Sequence, residues 1–211
     1  MRADAVTFAF PLPLIHRFIY GESMTEKVSR HDYFTAAFEL LAAGGKPALT
    51  TTAVCRRIGV TTGSLYHHFG SGAGFYRAVI DYWENDITTA QRRRVDEVSD
   101  PQERLVVLEQ AAREADHEVE KAIRAWAMAD RYVTAAQHRV DQVRHQHLTK
   151  HYIEAGFAPD RADTMARIGF SILIGAQQFG TQVDRKRLNA ALDEYSVWIN
   201  SLVPAEATTS R

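Results

Sequence analysis

From Thr25 onward, apolar residues recur three and four positions apart, the period of one helix face. Tyr33, Phe34, Ala37, Phe38 and Leu41 form such a face, predicting a helix that Gly44 and Gly45 end and Pro47 keeps from resuming. Val54, Cys55 and Ile58 predict a short helix over Thr51 to Ile58, broken at Gly59, and a third fits Thr62 to Phe69. Gly70, Ser71 and Gly72 punctuate the chain before a fourth helix from about Ala73 to Arg93. Asp100, Pro101 and Glu103 then read as an N-cap, a first helical position and a capping box, and the stretch from 101 to about 130 holds one or two helices. A long helix over roughly 132–155 stops at Gly156, with Pro159 beyond, and Asp160 with Asp163 caps another that runs to about 181. Asp184 caps the last, whose stripe is Leu188, Ala191, Leu192, Tyr195, Trp198, Ile199 and Leu202. No alternation of strand period rivals these patterns, so the fold class is all-α.

The second and third helices, separated by a glycine, have the layout of a helix-turn-helix. Two helices that cross closely need a small residue where their axes approach, and Cys55 supplies one. The turn needs a residue that tolerates positive φ, and Gly59 does. Val54, Ile58, Val60, Leu65 and Phe69 then face inward, and Thr61 caps the third helix. Thr62, Gly63, Ser64, Tyr66 and His67 are left outward, with hydroxyls near the helix start, where base edges and phosphates would be met.

Charge sharpens this reading. The whole chain has a formal net charge of -1, which gives it no general attraction to nucleic acid. Yet no acid lies between Glu39 and Asp81, a window that average usage would fill with about five. The window carries Lys46, Arg56, Arg57 and Arg77 instead, the footprint of a phosphate-facing surface. At 211 residues there is room for one large or two small domains with a sizeable core. The lone cysteine, Cys55, excludes an internal disulfide framework and fits a reducing, cytoplasmic setting. No apolar run reaches the ~20 residues of a membrane-spanning helix. Residues 1–23 have no helical period, and Pro11 and Pro13 break their apolar stretch, which has no small-residue cleavage site. They read as a loose extension, or as sequence upstream of a start at Met24.

The run from Tyr33 to Ile80 resembles the DNA-binding domain of the TetR-type transcriptional regulators. The resemblance rests on ALTTTAVCRRIGVTTGSLYHHF, residues 48–69, within which G-V-x-x-G-[ST]-L-Y-x-H-F is far more specific than a generic helix-turn-helix. The AIRAWA segment at 122–127 also matches. The resemblance implies a DNA-binding domain over 24–84 with its helix-turn-helix at about 50–69, a helical effector-binding and dimerisation domain over 85–204, and a tail over 205–211. It further implies a homodimer that binds a palindromic duplex operator, represses transcription, and releases DNA when a small molecule binds. The DNA-binding residues would be Thr51, Thr52, Thr61, Thr62, Gly63, Ser64, Tyr66, His67 and His68. Two positions depart from the family pattern. Thr62 stands where Lys or Arg is common before the glycine of the third helix, and Gly72 stands where a lysine usually opens the fourth. Both departures remove phosphate contacts, leaving Arg30 or Lys46 to supply them. They also keep open an alternative, a protein-interaction module of the same fold that has lost DNA binding.

Large residues on the downstream helices, Trp83, Trp126, Met128, Tyr132, Phe170 and Phe179, suit either plain core or the wall of a pocket for an apolar or aromatic effector. The helix over 162–176 is apolar nearly all round and must bury two faces. One of these faces, with the final stripe, predicts a dimer interface of Ile168, Ile172, Gly175, Tyr195, Trp198, Ile199 and Leu202, with Gly169 and Gly175 allowing close approach. His145, His147, His151 and Glu154 share one helix, with His147 and His151 at i, i+4. Without supporting cysteines they read as partly solvated histidines beside an apolar seam, and no metal or cofactor is assigned. No phosphate-binding glycine loop, nucleophile elbow or catalytic carboxylate pair is present, so no enzyme activity is assigned.

Overall fold

The computed structural model describes residues 28–202, and the expected N-terminal extension and C-terminal tail lie outside them. The described residues form helices joined by short turns, without strands. They are α1 (Arg30–Ala48), α2 (Thr51–Ile58), α3 (Thr62–Phe69), α4 (Gly72–Tyr82), a π-turn (Trp83–Ile87), α5 (Thr88–Asp96), α6 (Pro101–Glu114), α7 (His117–Ala127), α8 (Arg131–Glu154), α9 (Pro159–Gln178) and α10 (Arg185–Ser201). The helix starts follow from side-chain caps. Ser29 and Asp32 form a reciprocal capping box on α1, and Asp100 accepts from the N–H groups of Gln102 and Glu103 at 3.0 and 2.9 Å. Asp184 likewise receives Arg187 N. The cap of α9 differs from expectation. It is Ala158, without a side-chain bond, because Pro159 takes the first helical position and pushes Asp160 one residue inside.

Gly44 and Gly45 leave helical geometry as expected, Gly45 with φ at 65°, and one further turn follows to Ala48. The expected single helix over 73–93 is instead α4, the π-turn and α5 in one unbroken rod. Tyr82, Trp83, Ile87 and Thr88 all keep right-handed helical angles, and the Thr88 hydroxyl donates to the Trp83 carbonyl at 3.1 Å. A π-turn of this kind widens the helix by one residue.

Helices α1 to α4 form the helix-turn-helix unit, and α5 to α10 form the larger helical part. A single core crosses between them. Tyr33, Ala37, Leu41, Phe75 and Trp83 from the first part pack with Ile123, Trp126, Val133 and Val140 from the second. The AIRAWA segment explains the junction, because its Ala122, Ile123 and Trp126 are buried where α7 packs on α1. A smaller core of Tyr152, Phe157, Met165, Tyr195 and Ile199 holds α8, α9 and α10 together.

Candidate DNA-binding surface and effector cavity

The helix-turn-helix is set by two threonine caps and one glycine. Thr50 Oγ1 receives Ala53 N at 3.1 Å and opens α2. Gly59 takes φ 71°, the left-handed conformation glycine adopts without strain, and the chain turns so that Val60 N reaches the Cys55 carbonyl at 2.9 Å. Thr61 Oγ1 then receives Ser64 N at 3.3 Å and opens α3. Val54 and Leu65 are fully buried, and Cys55 lies beside them. Thr52, Thr61, Thr62, Gly63 and His67 are exposed, Tyr66 is 44% exposed, and Thr51 is half-buried.

Two residues expected on that surface face inward. Ser64 Oγ lies 2.7 Å from the Tyr33 hydroxyl, and His68 is half-buried against the Tyr33 ring at 5.2 Å. The reason is the helical period. Positions 64, 65 and 68 share the side of α3 that faces α1, while 62, 63, 66 and 67 share the other. Sequence reasoning also missed Gly74. A β-carbon there would stand 2.2 Å from the Phe69 carbonyl oxygen, so only glycine lets α4 start this close to the end of α3. The glycine-rich run at 70–74 signals a turn, but the close approach depends on tertiary packing.

The cations of the acid-free window are mostly engaged. Lys46 Nζ donates to the Leu49 carbonyl at 3.3 Å and sits 4.0 Å from the Tyr76 ring and 5.2 Å from that of Trp126. Burial pushes its pKa down, so Lys46 belongs to the junction of α1 with α7. Arg30 stacks 4.5 Å from the Phe69 ring and donates to the His68 carbonyl at 3.0 Å. These contacts occupy both side chains proposed to replace the missing phosphate contacts. Arg57 pairs with Glu39, while Arg56 is exposed on the same short helix.

A cavity of about 190 Å³ lies among α5 to α10. Its wall is largely apolar, with Leu105, Leu108, Leu148, Phe170, Leu173 and Leu192, and a polar group is built into one side. Arg144 donates two parallel bonds to the Glu120 carboxylate, each at 2.8 Å, and the Trp83 indole N–H donates to the same carboxylate at 3.0 Å. Burial alone would raise the Glu120 pKa, but the Arg144 charge and these bonds outweigh it and hold the carboxyl below its usual range. His117, fully buried nearby, receives a bond from Gln177 at 3.1 Å, and desolvation lowers its pKa.

Of the expected pocket residues only Phe170 lines this cavity. Trp83 lies behind Glu120 in the core, Trp126 packs on α1, and Tyr132 donates to Asp81 at the surface of α4. Met128 and Phe179 are 89% and 79% exposed, because both fall where helices end. Residue size marked these positions, but a cavity wall depends on how six helices converge. The expected interface set also divides. Tyr195 and Ile199 are buried inside the chain, and a β-carbon on Gly169 would meet the Tyr195 ring at 2.7 Å, so that glycine serves the α9–α10 crossing. Ile168, Ile172 and Leu202 are half-buried, Trp198 is 43% exposed, and nothing lies within 4 Å of a β-carbon built on Gly175. His147 and His151 are buried rather than partly solvated.

An all-α chain whose exposed recognition helix follows a glycine turn, with a cavity-bearing helical part behind it, has the architecture of a DNA-binding transcriptional regulator. Residues 34–79 match the family described as bacterial regulatory proteins, tetR family. The match covers the helix-turn-helix domain and assigns that domain to the tetR family. No curated protein sequence matches the chain. Solved structures share the fold. A transcriptional regulator from Rhodococcus sp. Rha1 is 20% identical, with a TM-score of 0.65 over 82% of this chain and 97% of its own. A TetR transcription regulator from Haloarcula marismortui is 19% identical, with a TM-score of 0.68 over 82% of this chain and 96% of its own. A transcriptional regulator from Saccharomonospora viridis, solved in complex with choline, is 15% identical, with a TM-score of 0.60 over 79% of this chain and 94% of its own. Among the described residues, no helix is long and apolar enough to cross a membrane.

Proposed function

We propose that the protein is a homodimeric repressor that reads a palindromic operator with α3 and releases it when a small molecule enters the cavity. The observation that carries this reading is the rod formed by α4, the π-turn and α5. Its α4 end packs against α3, and its α5 end presents Thr88, Gln91, Arg92 and Val95 to the cavity. A ligand that displaces α5 therefore acts on the element that positions the recognition helix. Thr62, Gly63, Tyr66 and His67 supply the DNA-facing surface, with Tyr66 Oη and Arg56 as phosphate donors. The half-exposed face of α9 and α10, with Ile168, Ile172, Gly175 and Trp198, supplies the contact with a second copy. The Saccharomonospora viridis regulator of this fold carries choline, which supports a small organic effector here. In this cavity Glu120 and Arg144 neutralise each other, so the wall favours a largely apolar molecule with few polar groups.

The test is linkage. A compound that raises the melting temperature of the protein is titrated with and without the selected operator. It should weaken operator binding, and the operator should weaken compound binding by the same factor. Compounds that bind in the cavity with no effect on operator affinity would contradict effector control.

A further inference from the structure

Sequence alone gives His147 and His151 one turn apart on α8, and the fold adds a third group to them. Asp96, at the last residue of α5, brings Oδ1 to 3.1 Å from His147 Nε2 and 3.5 Å from His151 Nε2, and the two imidazole nitrogens lie 2.9 Å apart. The three atoms form a nearly equilateral triangle. Ligand atoms about 2.0–2.1 Å from a tetrahedral zinc ion stand about 3.3 Å from one another, so a point about 2 Å from all three atoms exists here. We infer that Asp96, His147 and His151 form a binding site for a divalent transition-metal ion of zinc type.

The surrounding groups orient the ligands for this role. Glu154 Oε2 lies 3.0 Å from His151 Nδ1 and accepts its proton, which turns the Nε2 lone pair toward Asp96. Arg104 also comes within 3.4 Å of that Nδ1, but its guanidinium donates to Glu154 and to the carbonyls of Val98 and Ser99. The result is a lone pair and a carboxylate oxygen aimed at one point, with His147 Nε2 as the third corner. A single proton on His147 can satisfy only one of the other two atoms, whereas a cation satisfies all three. Both histidines are buried and held on a rigid helix, and Asp96 reaches them from the exposed edge, which leaves a path for an ion. Lys150 lies 3.6 Å from Asp96 but is more than half exposed and free to swing into solvent. Nitrogen and carboxylate ligands without thiolate suit Zn²⁺, Co²⁺ or Ni²⁺ rather than Ca²⁺ or Mg²⁺. His147 also forms part of the cavity wall. The site bridges α5 to α8 and does not depend on whether the cavity takes an organic effector.

The experiment uses untagged, metal-stripped full-length protein titrated with ZnCl₂ in a calorimeter, and with CoCl₂ by visible absorption. One ion should bind per chain, and Co²⁺ should give the intense d–d bands of a tetrahedral centre without thiolate charge transfer. Asp96→Asn changes an exposed residue and leaves the fold intact, yet should weaken Zn²⁺ binding by more than about 100-fold, as should His151→Ala. Glu154→Gln should weaken it by about 10–100-fold through loss of orientation. His138→Ala, on the exposed side of α8, should leave it unchanged. Absence of saturable binding at one ion per chain would overturn the assignment. So would Asp96→Asn protein that melts like the native chain and binds Zn²⁺ equally well.

Discussion

Truncating Glu120 to alanine tests the polar group in the cavity wall. The Glu120 side chain is 6% exposed and that of Arg144 is 19% exposed. In Glu120→Ala the guanidinium loses both of its parallel bonds, and the Trp83 N–H loses its acceptor. Removing one partner of a buried ion pair costs about 3–5 kcal/mol, and an orphaned buried donor costs about 1–3 kcal/mol. Arg144 borders a cavity that can admit water, so the two do not add in full, and the expected loss is about 3–5 kcal/mol. Against a total of roughly 5–15 kcal/mol this leaves a marginal protein. The double variant Glu120→Leu with Arg144→Met removes both charges at similar volume and leaves only the Trp83 N–H without its acceptor, so it should lie about 1–3 kcal/mol below the native chain and above Glu120→Ala. The assay is urea unfolding followed by circular dichroism, at one fixed protein concentration because the proposed dimerisation would contribute to apparent stability. A loss below about 1 kcal/mol for Glu120→Ala alone would refute the argument, since it would mean the pair is solvated rather than buried.

Three further outcomes are expected. Gly74→Ala forces a β-carbon onto the Phe69 carbonyl and should cost about 1–3 kcal/mol, read as a lowered melting temperature with loss of DNA binding; an unchanged melt would show that α4 can slide away. Burial lowers the His117 pKa in the folded state, so the unfolded chain takes up a proton first as pH falls below about 6.5, and stability should then drop by up to about 1.4 kcal/mol per pH unit from this group. His117→Gln should flatten that slope in urea unfolding between pH 7 and 5, and an unaltered slope would exclude the group. Trp198→Glu on the exposed face of α10 should convert the proposed dimer into a species near 23.8 kDa by sedimentation, and an unchanged dimer would place the interface elsewhere.

The helix-turn-helix was largely legible in the sequence because it is built from local signals. Thr61, Gly59 and the Val54–Leu65 core act within a few residues of one another, and caps, turns and period report such contacts. Ser64 and His68 were misread because α1, which is distant in sequence, decides which side of α3 is covered. The cavity was not legible. Its wall is assembled from six helices spread over more than half of the described chain, and Leu105, Leu148 and Leu173 look like any core leucine. Glu120 and Arg144 carry no sequence mark, since two charged residues 24 positions apart meet only when α7 packs on α8. The histidines on α8 were visible as a spacing, but their third partner, Asp96, comes from a different helix and could be found only in the fold.

The central claim is that α3 reads duplex DNA, and operator binding tests it most directly. Duplexes selected from a random pool are measured against the native chain over a salt series, and then as a panel of single-base variants. The account predicts a palindromic consensus, and log affinity that falls linearly with log salt as phosphate contacts are screened. Tyr66→Phe should weaken every duplex about equally, by about 1 kcal/mol for a lost hydroxyl contact, while Thr62→Ala should change the ranking of the single-base variants. A pool that yields no consensus, with Tyr66→Phe and Thr62→Ala indistinguishable from the native chain, would contradict the account and leave the protein-interaction module as the reading of this fold.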